Sequence, residues 1–101
     1  MAQIYEVTVT FAGDDPSEFE RYMADTHIPD VLATGCFAAA FFAKENDSYI
    51  VGYHVNTSDD MQRYLDEFAP SLRDDVMTRY GGKVEISRRM LDIVKLFPGQ
   101  E

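Results

Sequence analysis

Side chains able to move a proton near neutral pH are scarce in this chain: two histidines, His27 and His54, and one cysteine, Cys36. His27 stands in the run Thr26-His27-Ile28-Pro29-Asp30-Val31-Leu32-Ala33-Thr34-Gly35-Cys36-Phe37, at the end of an amphipathic stretch and just ahead of a proline. An imidazole titrates close to neutrality, so at the edge of an apolar interior it can take up a proton and return it. Asp30, three residues on, can orient that imidazole as a carboxylate does in acid–base pairs, or it can cap the turn that follows. Tyr53 and Tyr5 can bring hydroxyls to the same place. Such a cluster would bind a carbonyl or a phenol and shuttle a proton. His27, Asp30 and Tyr53 are therefore the candidate catalytic residues. The competing reading of His27 is a packed helix-end histidine bonded to a backbone carbonyl.

Tyr5, Tyr22, Phe41, Phe68 and Arg73 are the candidate ligand-binding residues, with Phe19 and Tyr53 beside them. Aromatic walls suit a flat apolar molecule, and small Ala38, Ala39 and Ala40 leave it room. Arg73 can hold an anionic group at the mouth of the pocket, or lie solvated among Asp66, Asp74 and Asp75. Glu6 and His54 make a second possible pair, a cross-strand contact away from His27. With the two histidines on opposite sides of a sheet and no HxH or HxxxH spacing, no metal is expected. Cys36 opens an apolar run and reads as an inert buried thiol. No GxSxG, GxGxxG or phosphate-loop motif is present, so no cofactor is expected either.

The elements that must position these groups are legible along the chain. Gln3–Phe11 alternates, with Tyr5, Val7, Val9 and Phe11 on one face and Ile4, Glu6, Thr8 and Thr10 on the other, as in a strand. Asp15, Pro16 and Glu18 form a helix start. Phe19, Tyr22 and Met23 follow on one helical stripe, and His27 lies nearly above Met23, since four residues turn a helix by about 400°. Pro29 is expected to end that helix. Cys36–Lys44 is an apolar strand entering a hairpin at Glu45-Asn46-Asp47, and Tyr49–Asn56 returns. Thr57-Ser58-Asp59-Asp60 caps a second helix. Its stripe runs through Met61, Tyr64, Leu65, Phe68, Leu72, Val76 and Tyr80, with Pro70 expected to kink or split it. Gly81-Gly82 stops it, and Lys83–Leu96 is the last strand.

This βαββαβ order fits an α+β, ferredoxin-like fold: a four-stranded antiparallel sheet with both helices on one face. The first strand is then central beside the third. Glu6, Thr8 and His54 fall on the face away from the helices. A chain of 101 residues makes one domain, with an ordered core of about residues 3–96. Its net charge of −9 makes nucleic acid and anionic membrane poor partners. With neither a basic-then-apolar leader nor a membrane-length apolar run, the expected location is the cytoplasm.

The segment His27–Phe37, together with Tyr64-Leu65-Asp66-Glu67-Phe68-Ala69-Pro70-Ser71-Leu72-Arg73 and the element order, resembles a small bacterial family known as domain of unknown function 4286, over nearly the whole chain. The resemblance implies membership of the dimeric α+β barrels, in which two ferredoxin-like sheets pack face to face. That superfamily includes cofactor-free monooxygenases, polyketide cyclases, haem-degrading enzymes and muconolactone isomerase-like enzymes. A homodimer is expected on physical grounds too, because the uncovered sheet face carries Ile4, Ile50 and Gly52. Three functions follow as expectations. The first is a protein that binds a hydrophobic small molecule between helices and sheet. The second is a cofactor-independent enzyme of monooxygenase, cyclase or isomerase type using His27 as acid/base. The third is a structural or interaction homodimer without a ligand.

Overall fold

The computed structural model describes residues 2–99. Its sheet has four antiparallel strands: β1 (Gln3–Phe11), β2 (Phe37–Glu45), β3 (Ser48–Val55) and β4 (Val84–Asp92), in the spatial order β2-β3-β1-β4. This is the expected topology, with β1 central beside β3. Tyr5 faces Tyr53 and Met90 across its two neighbours, and Val7 faces Val51 and Arg88. Directly opposed residues share a face. The helix-covered face therefore carries Tyr5, Val7, Val9 and Phe11, then Tyr49, Val51, Tyr53 and Val55, then Ile86 and Arg88. The other face carries Ile4, Glu6, Thr8 and His54.

Two helical rods cover the first of these faces. One runs through α1 (Pro16–Tyr22), a π-helical turn at Met23–His27 and α2 (Ile28–Leu32); the other runs through α3 (Ser58–Arg63), a π-helical turn at Tyr64–Phe68 and α4 (Ala69–Tyr80). The starts are as the sequence indicates: Asp15 accepts from the Glu18 N–H at 3.1 Å, and Thr57 from the Asp60 N–H at 3.0 Å. Pro29, however, does not end its helix. The Ile28 N–H reaches back to the Met23 carbonyl, and Ile28 keeps helical dihedrals. The wider turn absorbs the donor that proline lacks and makes room for its ring. Pro70 splits the second rod in the same way, with the Ala69 N–H bonded to the Tyr64 carbonyl.

Phe19, Val31, Cys36, Tyr49 and Val51 are the largest of the fully buried side chains. Two tyrosine–carboxylate hydrogen bonds clamp the rods together: Tyr22 donates to Asp75 at 2.7 Å and Tyr80 to Glu18 at 2.8 Å. The last strand is shorter than its hydropathy suggests. β1 begins at Gln3, opposite Asp92, so the ladder has no partner strand beyond that point. The Ile93 N–H makes one more bond, to the Ala2 carbonyl, and Val94 (94% exposed) and Phe97 (76%) then stand in solvent.

Candidate functional site

Between the rods and the sheet lies a cavity of about 40 Å³. Val7, Val9, Phe19, Val51, Val76 and Ile86 give it apolar walls, and its polar groups come from every layer of the fold. Tyr5 projects from β1, Tyr53 from β3 and Arg88 from β4. His27 closes the first π-helical turn, Tyr64 opens the second, and Arg73 comes from α4. Strand alternation points the sheet residues inward, and helical periodicity does the same for the others.

His27 is half-buried, and its ring stacks on that of Tyr22 at 6.1 Å and 28°. Its Nδ1 is buried without a hydrogen-bond partner. Burial pushes the imidazole below its ordinary 6.5. Asp75 and then Asp30 pull the other way, and the Arg88 cation adds to the lowering. The ring is therefore neutral at pH 7 and free to accept a proton. Burial, with Tyr64 and Tyr5 close by, pushes the Tyr53 phenol up. Burial and Tyr5 push Tyr64 up to about 12, against the opposing pull of Arg73 and Arg88. Both phenols are thus O–H donors at neutral pH. Arg73 donates from Nη2 to the Tyr5 hydroxyl at 3.1 Å, while its Nε is buried without a partner.

The cavity gathers His27, Tyr53, Tyr5 and Arg73 from among the sequence candidates. The others lie elsewhere. Asp30 is exposed within α2, and among the described residues it makes no hydrogen bond to His27 and caps no turn. The carboxylate acting most strongly on His27 is Asp75, already bonded to Tyr22. Tyr22 stands behind the imidazole and is not part of the cavity wall. Phe41 corrects the expectation most sharply. It pairs with Gly52, so it belongs to the sheet face away from the helices, where its ring lies over that glycine and is 47% exposed. Phe68 packs at the rim of the core under the Arg63 guanidinium, outside the cavity. Glu6 does not meet His54 either: the register sets it opposite Arg89, whose Nε donates to it at 2.8 Å.

Asp75, Tyr64 and Arg88 were missed as site residues. Arg88 had a signal: it continues the inward alternation of Val84 and Ile86, so it is an arginine in an apolar phase. Tyr64 was visible only as part of the apolar stripe. Asp75 had no signal, because its role depends on how α4 packs against the first rod.

Among the described residues, no three of His, Cys, Asp or Glu gather as a metal cluster, and no helix is long and apolar enough to cross a membrane. Residues 2–94 match the family described as "Domain of unknown function (DUF4286)", and the chain belongs to it. No curated protein sequence matches the chain. Solved structures share the fold. SnoaB, a cofactor-independent oxygenase from Streptomyces nogalater, superposes with a TM-score of 0.75 at 17% identity, over 97% of this chain and 98% of that one. An ethyl tert-butyl ether D (EthD) family protein from Bacillus halodurans gives 0.70 at 10% identity, over 91% and 99%. A dimeric ferredoxin-like protein from an uncultured marine organism gives 0.69 at 12% identity, over 98% and 100%.

Proposed function

We propose that this member of the family binds a small organic molecule at the helix–sheet cavity, with the polar part of the ligand against His27 and Arg73. One observation carries the reading: both residues line the same cavity, and each holds a buried nitrogen without a hydrogen-bond partner. A buried polar atom left unpaired costs about 1–3 kcal/mol. The two residues that hold them line one space, and a molecule bound there can supply the missing partners once the side chains turn toward it. The apolar walls and the Tyr53 and Tyr64 hydroxyls add contact area and donors. SnoaB, a cofactor-independent oxygenase, shares the fold and agrees with a small-molecule role, though fold alone assigns no chemistry.

A second reading is a cofactor-independent enzyme with His27 as general base, and the neutral imidazole favours it. His27 would remove a proton from an acidic C–H or O–H of the ligand. Arg73 and the tyrosine hydroxyls would then stabilise the resulting oxyanion. We also infer a homodimer through the open sheet face, where Phe41 joins Ile4, Ile50 and Leu91.

The binding test is NMR of isotopically labelled protein, titrated at millimolar concentration with small phenols, ketones and carboxylates. Saturable shifts at the His27 ring and at Tyr64 are expected from at least one class. No shift at either residue from any class would refute the binding reading. For a ligand that binds and carries an acidic C–H, His27→Gln should abolish protein-promoted deuterium exchange at that carbon, measured with ligand in saturating excess. Unchanged exchange would remove the catalytic reading.

A further inference from the structure

Resting on that binding reading, we propose that the ligand is an organic carboxylate, its anionic head held between Arg73 and Arg88 and its apolar body lying in the groove of Met61, Leu65 and Met90.

The first argument is charge. The chain has 18 acidic and 9 basic side chains, so a cation on its surface is surrounded by prospective carboxylate partners. Among the described residues, Lys44, Arg63, Arg79 and Arg89 each form an ion pair, with Glu20, Asp60, Asp75 and Glu6. Among the same described residues, Arg21, Lys83 and Lys95 form none, and neither do Arg73 and Arg88; of these five, only Arg73 and Arg88 line the cavity, and Arg73 is followed directly by Asp74 and Asp75. Asp74 is exposed, and Asp75 is engaged by Tyr22 and Arg79. Arg73 is half-buried and Arg88 exposed, and both line the same cavity, so two like charges border one space. An anion from outside the chain offsets both. A carboxylate matches the planar fork of an arginine with two parallel hydrogen bonds, and the unpartnered Arg73 Nε is one donor of that fork.

The second argument is shape. Tyr5, Arg73 and Arg88 border the 40 Å³ cavity and also an outer groove of about 380 Å³. The cavity has room for about two to three water-sized groups, the bulk of a carboxylate, and none for an aromatic ring. The groove is lined by Met61, by Leu65 (37% exposed) and by Met90 (42% exposed), with Arg89 at its rim. Two large apolar side chains left in water beside an arginine pair fit a ligand with a charged head and an apolar body. Methionine and leucine side chains adapt readily to such a body.

The test compares 2-naphthoate with 2-naphthamide, nearly the same shape without the charge, by NMR at His27 and by calorimetry. Naphthoate is expected to bind about tenfold or more tightly than the amide, the worth of one charge-assisted hydrogen bond. Its affinity should fall as salt is raised. Arg88→Met should lower the ratio of acid to amide affinity toward one, and Arg88→Lys should restore part of it. The salt series on the unsubstituted protein stands whether or not a variant folds. Equal binding of acid and amide, or naphthoate affinity indifferent to salt and to Arg88→Met, would overturn the carboxylate inference while leaving the cavity as a binding site. Absence of binding by both while phenols or ketones still shift His27 would overturn the carboxylate inference alone, and absence of any shift from every class would overturn the two together.

Discussion

The depressed basicity of His27 makes the stability of the fold depend on pH in a calculable way. In the unfolded chain the imidazole takes up a proton around 6.5; in the folded protein burial holds that uptake to lower pH. Between those two values the unfolded state binds the extra proton, so stability rises with pH there and is lost as pH falls below 6.5. Well above 6.5 both states are neutral at this site and the contribution is flat. In the limit where only the unfolded chain binds the proton, the loss between pH 7 and 5.5 is at most about 1.3 kcal/mol. The ring is only half-buried, so the measured loss will be smaller. His27→Gln removes the group and should flatten this part of the profile, leaving the carboxylates to act at lower pH. Urea unfolding of both proteins at pH 7 and 5.5, at one fixed protomer concentration because of the expected dimer, gives the difference directly. Identical pH dependence in the two proteins would mean that the imidazole is as solvated folded as unfolded. The argument for a neutral base in the cavity would then fail.

Other consequences are quicker to check. Thr57→Ala removes the side-chain cap on the Asp60 N–H and should cost about 1 kcal/mol, read as a drop of about 4–8 °C in the thermal midpoint; an unchanged midpoint would mean that water caps the helix equally well. Four of the six tyrosines, Tyr22, Tyr53, Tyr64 and Tyr80, have phenols pushed up, Tyr80 to about 12 by burial and its bond to Glu18. Absorbance near 295 nm should therefore show no more than two ionised per chain at pH 11 while the fold persists, and ionisation of all six in folded protein would contradict that burial. Phe41→Asp places a charge in the centre of the proposed dimer face. It should shift the sedimentation mass toward that of one chain with little change in circular dichroism, and an unchanged mass would move the interface elsewhere.

The strands were readable because each exposes a period of two, and the antiparallel order then fixed which residues share a face. Tyr5 and Tyr53 could be placed beneath the helices on that basis alone, whereas Arg73, on a helix, could be read either as an anion holder or as a solvated side chain. Phe41 could not be placed so. Residues Cys36–Lys44 are apolar on both faces, so alternation gives no phase. Moreover, the shift in pairing between Phe37 and Ala39 changes which residues of β2 follow Phe37 inward. Phe42 therefore packs on Tyr49 in the interior, while Phe41 lies over Gly52 outside. Asp30 failed for a different reason. Spacing of three suggested a contact with His27, but α2 continues the rod and carries the carboxylate into solvent.

The two π-helical turns hold the remaining discrepancies and connect them to the cavity. A π-helical turn inserts one residue into the hydrogen-bond register, which rotates the following helix by about 100° relative to an unbroken α-helix. The second turn itself carries Leu65, which stands partly in water, and Phe68, at the rim; beyond it the buried positions resume at Ala69, Val76 and Tyr80. In both rods a proline follows two residues after the turn, Pro29 after His27 and Pro70 after Phe68. The device is the same in each half of the βαββαβ chain. Both turns also open onto the cavity, the first with Met23 and His27 and the second with Tyr64. Irregular turns of this kind are enriched where a helix must hold a side chain at a particular angle. Here they lift an imidazole and a phenol over the centre of the sheet. The rods then continue past their prolines, where α4 supplies Arg73 to complete the polar ring.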